Sequence, residues 1–315
     1  MIKIERVDLD LIAEEYYQYL QTWLFNNGHF ATMEAICGAK IVDAVQKRCY
    51  EYLCYRMKKG LQNRNFVLAK PAILKKWMVE ILKKKHEEDC FKKFSKFMTE
   101  LYNGFFQTSI GKGKMALGYW LVNRLKIRVC PYCNRNYTFS VAKTNSPKVR
   151  AQFDHFIPKK KFPMFALCFY NLVPSCPICN KLKGEQLVSY NPYQEGFPID
   201  QKFVLSNGEK DLSWIRPMSE LKISLSNSAT NQNKKQFLLE ELYQQHADIA
   251  KSIVMKAQAY NDNYYDGIVR SFQGAGYSNE YINNLIWGTY TYDNQLDKHP
   301  FSKLTKDILE QIGIL

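Results

Sequence analysis

CPYC at 130–133, FDHFIPK at 153–159 and YNLVPSCPICNKLKG at 170–184 are the stretches from which this chain is best read. Cys130 and Cys133 stand two residues apart, and so do Cys176 and Cys179. That spacing lets each pair form a tight knuckle that presents two thiolates to one tetrahedral ion. A proline follows the first cysteine of each pair, Pro131 and Pro177, and helps to fix the turn. Zinc bound by four sulfurs has no open coordination position, so such a site is structural rather than reactive. Spacing alone leaves two alternatives open: a redox Cys-x-x-Cys, which needs only one pair, and core thiols that share the pattern by chance.

Residues 134–175 exceed the spacer of a simple zinc ribbon, so the segment between the knuckles must be a structure of its own. It holds Asp154 and His155, adjacent in a stretch that reads as a strand, where successive side chains point to opposite faces. That alternation lets Asp154 bind a cation from one side while His155 faces an attacking water. The other histidines sit in less suggestive settings: His29 in a loop, His86 beside a lysine run, His246 on a helix and His299 before Pro300. The run from Ile127 to Pro158 predicts a hairpin turning near Asn145 to Pro147. Cys176 to Gly184 predicts a short helix with Asn180 on its first turns and Gly184 as its C-cap. So small a unit lacks a core, and zinc is expected to supply much of its folding free energy.

Outward from this centre the pattern is helical. Up to about residue 125, apolar positions such as Tyr16, Leu20 and Leu24 recur three to four apart, with Gly28 and Gly60 as punctuation. From Pro71 one or two amphipathic helices carry Lys75, Lys76, Lys83, Lys84, Lys85, Lys92, Lys93 and Lys96 on the wet side. That stripe reads either as a solvated face or as a surface that tracks phosphates. Beyond Gly184 come a loop-rich stretch, a strand pair around 203–225 and a long helix from Lys234 to Tyr260. A last helix at SKLTKDILEQI has Ser302 as N-cap.

The chain has 315 residues, 46% of them hydrophobic and 14% aromatic, which predicts a folded body rather than disorder. Its 44 Lys and Arg outnumber 30 Asp and Glu for a net charge of +14, an excess that favours a polyanionic partner, nucleic acid first. No apolar run is long enough to span a membrane, and acidic residues occupy the N-terminal stretch where a signal peptide would be apolar, so a soluble cytoplasmic protein without a membrane partner is expected. Nine cysteines in such a chain point to reduced thiols. Four serve as ligands, while Cys37, Cys49, Cys54, Cys90 and Cys168 read as ordinary core or half-buried thiols.

Residues 127–190 resemble the HNH endonucleases in the order of FDHFIPK, YNLVPSC and CNKLKG. The resemblance implies a ββα-metal motif braced by the two knuckles, with His155 as general base. It further implies that Asp154 and Asn180 are ligands of a catalytic Mg²⁺ or Mn²⁺ and that Asn171 orders the loop and orients His155. Asn180 stands where the family name has histidine, leaving a neutral amide oxygen as ligand. The chemistry is coherent: a neutral imidazole takes a proton from water near pH 7, and a divalent ion neutralises charge on the phosphate and the leaving oxygen. Lys159, Lys160, Lys161, Lys181 and Lys183 flank the site as contacts to a nucleic-acid backbone, or else as solvated lysines.

The same stretch is similar to HNH effectors of bacterial phage-defence systems, such as Septu-type nuclease subunits, which implies a role in antiviral defence beside an ATPase subunit. The expected fold class is therefore α+β: a helical region at 1–125, a zinc-stabilised ββα-metal nuclease core at 126–190 and a mainly helical region with a short strand pair at 191–315. The expected activity is metal-dependent cleavage of DNA, most readily double-stranded. The competing reading is a zinc-stabilised nucleic-acid-binding or adaptor module with a vestigial site.

Overall fold

The structure, a computed structural model, describes residues 2–82, 88–110, 115–143, 146–149, 151–197, 200–205, 221–226, 232–260 and 262–315. The described residues are mostly helical, with four two-stranded antiparallel sheets, and fit the α+β class. They divide into two compact units: Glu5–Ile127 with Thr138–Gln194, and Met1–Ile4 with Arg128–Tyr137 and Glu195–Leu315. Among the described residues no helix is long and apolar enough to cross a membrane.

The first unit opens with α1 (Leu9–Gln21), α2 (His29–Gly38), α3 (Ala44–Gln62), α4 (Arg64–Val67), α5 (Pro71–Leu82) and α6 (Glu88–Gln107). A minimal ribbon follows, β1 (Ser109–Ile110) with β2 (Met115–Ala116), and then α7 (Leu117–Leu125). Helix α6 is the axis of the unit: Phe94, Phe97, Met98, Leu101 and Phe105 recur at helical spacing, and all are buried. It packs against α2, α3 and α7. Gly28 has φ +70° just before α2, where a side chain would be strained. Gly60 does not interrupt the chain as its sequence suggests. It lies inside α3, and the break falls at Asn63, whose side chain accepts the Asn65 N–H to cap α4.

One expectation about thiols is overturned. Cys49 on α3 and Cys90 on α6 are joined in a disulfide, with Cα atoms 6.2 Å apart. They are 41 residues apart in sequence, and only the side-by-side packing of α3 and α6 makes them neighbours. Cys54 and Cys168 are buried free thiols and Cys37 is half-buried.

The strands of this unit differ from a single hairpin. β3 (Val141–Lys143) pairs with β4 (Ser146–Val149), with Pro147 opposite Ala142; Asn145, the expected turn residue, lies outside the described residues. Asp154 and His155 belong to a separate strand, β5 (Gln152–His155), which pairs with β6 (Leu172–Ser175). Asp154 lies opposite Val173 and His155 opposite Leu172. Helix α8 (Pro177–Lys183) follows at once and packs on β5, with Gly184 as its C-cap at φ +50°.

In the second unit β7 (Phe203–Leu205) pairs with β8 (Ile223–Leu225), as the strand pattern predicts. The single helix expected over 234–260 is instead three: α9 (Gln232–Gln236), α10 (Leu239–Gln244) and α11 (Ala247–Ala259). Leu238, with φ +47°, breaks the first junction, a left-handed backbone that an apolar stripe cannot disclose. After α12 (Asp262–Gly274) and α13 (Asn279–Trp287), α14 (Ser302–Gln311) packs on β7 and α11. Ser302 is its first helical residue rather than its N-cap: Phe301 holds the cap position at φ +61°, and Ser302 Oγ donates to the His299 carbonyl at 2.7 Å.

Candidate functional site

The four expected ligands come together. The thiol sulfurs of Cys130, Cys133, Cys176 and Cys179 all lie within 4.8 Å of one another, and all four residues are buried. Each knuckle is shaped by its own backbone. Asn134 takes φ +50° and its N–H donates to the Cys130 carbonyl at 2.7 Å, while the Cys130 N–H donates to Asn136 at 2.9 Å. Cys176 is the N-cap of α8, with Pro177 in the first turn and its Sγ accepting the Cys179 N–H at 3.4 Å. A tetrahedral ion with bonds of about 2.3 Å needs sulfur–sulfur edges of roughly 3.8 Å, which this cluster can meet with small shifts. The donor set fits a structural zinc.

β5 sorts the second site by parity, as a pleated strand must. Phe153 and His155 face α6, with the Phe106 ring 5.4 Å from Phe153 and the Tyr102 ring 4.6 Å from His155, both edge-on. Gln152 and Asp154 face α8. Asn180 Nδ2 donates to Gln152 Oε1 at 2.6 Å, and Lys183 Nζ bonds Asp154 Oδ1 at 3.1 Å and the His155 carbonyl at 2.7 Å. Asn180 and Lys183 are three apart on a helix, and therefore on one face.

His155 is 7% exposed and its Nε2 lies 3.0 Å from the Ala166 carbonyl. A carbonyl only accepts, so Nε2 carries the proton and Nδ1 is left as the basic nitrogen. Burial and the Lys159 charge push its pKa down to about 3, against the opposing pull of the Ala166 bond. The imidazole is therefore neutral near pH 7. Asn171, fully buried, ties the loop behind it. Its Oδ1 accepts the Ile157 N–H at 2.7 Å, and its Nδ2 donates to the carbonyls of Ile157 and Phe165 at 3.1 and 3.0 Å.

The flanking lysines do not form one class. Lys160 and Lys161 are exposed, Lys160 paired with Glu185 at 2.6 Å, and Lys181 is exposed on α8. Lys159 is half-buried with its Nζ 4.3 Å from the Tyr102 ring centre, and burial lowers its pKa. Lys183 departs from its expected place among the phosphate contacts: it is 0% exposed, and its ammonium is spent on Asp154 and the His155 carbonyl. In the more distant stripe Lys75 donates to the Ser189 carbonyl at 2.6 Å and Lys92 pairs with Asp89, while Lys83, Lys84 and Lys85 lie outside the described residues.

Gln152 and Tyr102 escaped the sequence reading. Gln152 had a usable signal, since it stands two residues before Asp154 and so shares its face of the strand. Tyr102 had none, because its contact with His155 joins elements far apart in sequence.

Two oxygen donors, the Asp154 carboxylate and the Asn180 amide, suit a hard divalent ion. A histidine with its far nitrogen anchored presents Nδ1 to a proton donor, while the burial that keeps it neutral also lowers its basicity. The family model for HNH endonucleases matches residues 130–186, a span that holds both cysteine pairs, Asp154, His155, Asn171 and Asn180. No curated protein and no solved structure matches the chain. The match supports nuclease activity in general and a nucleic-acid substrate, and nucleases of this family use divalent metals.

Proposed function

We propose that this protein is a metal-dependent endonuclease that hydrolyses phosphodiester bonds in DNA. The observation that carries the reading lies in the family-matched stretch: Asp154 and His155 sit side by side on β5 but face opposite ways, with Asn180 on the helix packed against the Asp154 side. His155 acts as general base. Its Nε2 proton is committed to Ala166, so Nδ1 takes the proton of the attacking water. Asn171 keeps the loop behind the imidazole in place. Asp154 and Asn180 hold Mg²⁺ or Mn²⁺, which when bound supplies charge neutralisation at the phosphate. Lys160, Lys161 and Lys181, exposed around the site, meet the nucleic-acid backbone.

The defence role belongs to the same proposal. Its support is the likeness of the 153–184 stretch to HNH effectors of phage-defence systems, which also suggests an ATPase subunit as partner; the DNA target is proposed to be double-stranded. Affinity purification from the native host tests the partner, with recovery of an ATPase expected and its absence counting against that part.

The activity is tested by incubating the zinc-loaded protein with plasmid DNA and Mg²⁺ or Mn²⁺, beside His155→Ala. Cutting that EDTA abolishes, that either ion restores and that His155→Ala lacks is the expected result. A well-folded His155→Ala protein that still cuts rules out the base. Salt-sensitive binding without cutting by either protein supports the binding-module reading.

A further inference from the structure

An amide ligand has a problem that a carboxylate does not. Its oxygen can hold a cation but its nitrogen cannot, and the two ends have nearly the same shape. Something other than shape must therefore decide which end of Asn180 is offered. On β5 the residue opposite Asn180 is Gln152, whose Oε1 takes the Asn180 Nδ2 hydrogen at 2.6 Å. With the nitrogen committed to Gln152 in this way, Oδ1 is the end left for an ion.

The register that brings these two amides together is set one rung along. Gln152 and Asp154 share a face of β5, Asn180 and Lys183 share a face of α8, and the Lys183–Asp154 pair is buried at 0% and 3% exposure. A buried ion pair resists sliding, because a shift of one residue would strand both charges. The Gln152–Asn180 rung is exposed by comparison. It contributes little to holding the helix down, and this separates orientation from structure.

We propose that Gln152 is a positioning residue of the nuclease site, setting the amide orientation of Asn180 so that its oxygen serves the divalent ion. The inference rests on the assignment of Asn180 as an ion ligand. Groups that orient a first ligand typically alter metal affinity by about 10- to 100-fold when removed, and that is the scale expected here.

The test is Mn²⁺ binding to the zinc-loaded full chain, read from the electron paramagnetic resonance signal of free Mn²⁺, with thermal melting as a check on folding. Gln152→Leu should bind Mn²⁺ about tenfold more weakly or worse, with its melt unchanged. Gln152→Glu, which can only accept, should bind at least as tightly as wild type. The deciding variant is Asn180→Asp, whose two oxygens are equivalent and need no orienting. In that background Gln152→Leu should cost nothing. A loss of equal size in both backgrounds overturns the proposal, since Gln152 would then act through the fold. Wild-type affinity in Gln152→Leu, with Asn180→Ala weakened, overturns the role of Gln152 and leaves the ion assignment standing. Equal binding by wild type and Asn180→Ala removes the ion from Asn180 and takes both down.

Discussion

The four-cysteine cluster and the proposed ion site at Asp154 and Asn180 lie in one stretch of chain, and they are built on opposite principles. The cysteines are chemically identical, all nearly inaccessible, and complete as a tetrahedral set. Asp154 and Asn180 are dissimilar, they make an incomplete set, and each is already engaged by a neighbour, Lys183 in one case and Gln152 in the other. A closed soft-ligand site holds its ion as part of the fold. An open site of hard donors leaves coordination positions for water and substrate, and its ion exchanges. The stretch is therefore braced twice, once by a cysteine set that fits a structural zinc and once by the Lys183–Asp154 and Asn180–Gln152 contacts between α8 and β5.

The sharpest way to break this comparison is to remove a thiolate. Cys176→Ala should lose zinc and its cooperative melt together, since structural zinc is worth about 10 kcal/mol or more in small zinc-dependent folds. Elemental analysis and calorimetry read both, and a variant that melts like wild type without zinc would make the cluster ornamental. His155→Ala should do the reverse: DNA cleavage falls by about 10²- to 10⁴-fold while zinc content and melting are kept. Lys183→Met tests whether the second site contains a structural element of its own. Leaving Asp154 buried without its partner should cost about 3–5 kcal/mol in denaturant unfolding, and Asp154→Asn with Lys183→Met should recover much of it. Asn171→Ala removes a buried side chain with three hydrogen bonds and should cost about 1–3 kcal/mol or more by the same measurement. The smallest effect belongs to the surface. Lys181→Gln should leave folding untouched and reduce the salt dependence of DNA binding by about one unit of slope or less. A stability loss as large as that of Lys183→Met would place Lys181 in the wrong class.

The contrast between Lys181 and Lys183 also marks where sequence reading stops. The two stand two residues apart in the same short helix, and as letters they are equivalent. One is exposed and the other is the most buried charge of the site, because α8 lies on β5 and turns only one of its faces inward. Cys49 and Cys90 teach the same lesson. Cys49 lies between Arg48 and Tyr50 and Cys90 between Asp89 and Phe91, surroundings that mark neither as half of a pair, and only the packing of α3 on α6 joins them. The break at Leu238 is a third case: the apolar stripe runs through it unaltered while the backbone turns left-handed.

What the sequence determined by itself is local. Two-residue spacing defines the knuckles, alternation along a strand sends Asp154 and His155 to opposite faces, and Gly184 permits the end of α8. Each depends only on neighbours within a few bonds. What the tertiary structure decided is the company these residues keep: β6 rather than the β3–β4 hairpin as the partner of β5, Tyr102 and Ala166 around the imidazole, Gln152 against Asn180, and Lys183 under Asp154. Those contacts join distant positions, and their formation depends on burying α6 and α8 against one strand, a term that no local pattern encodes.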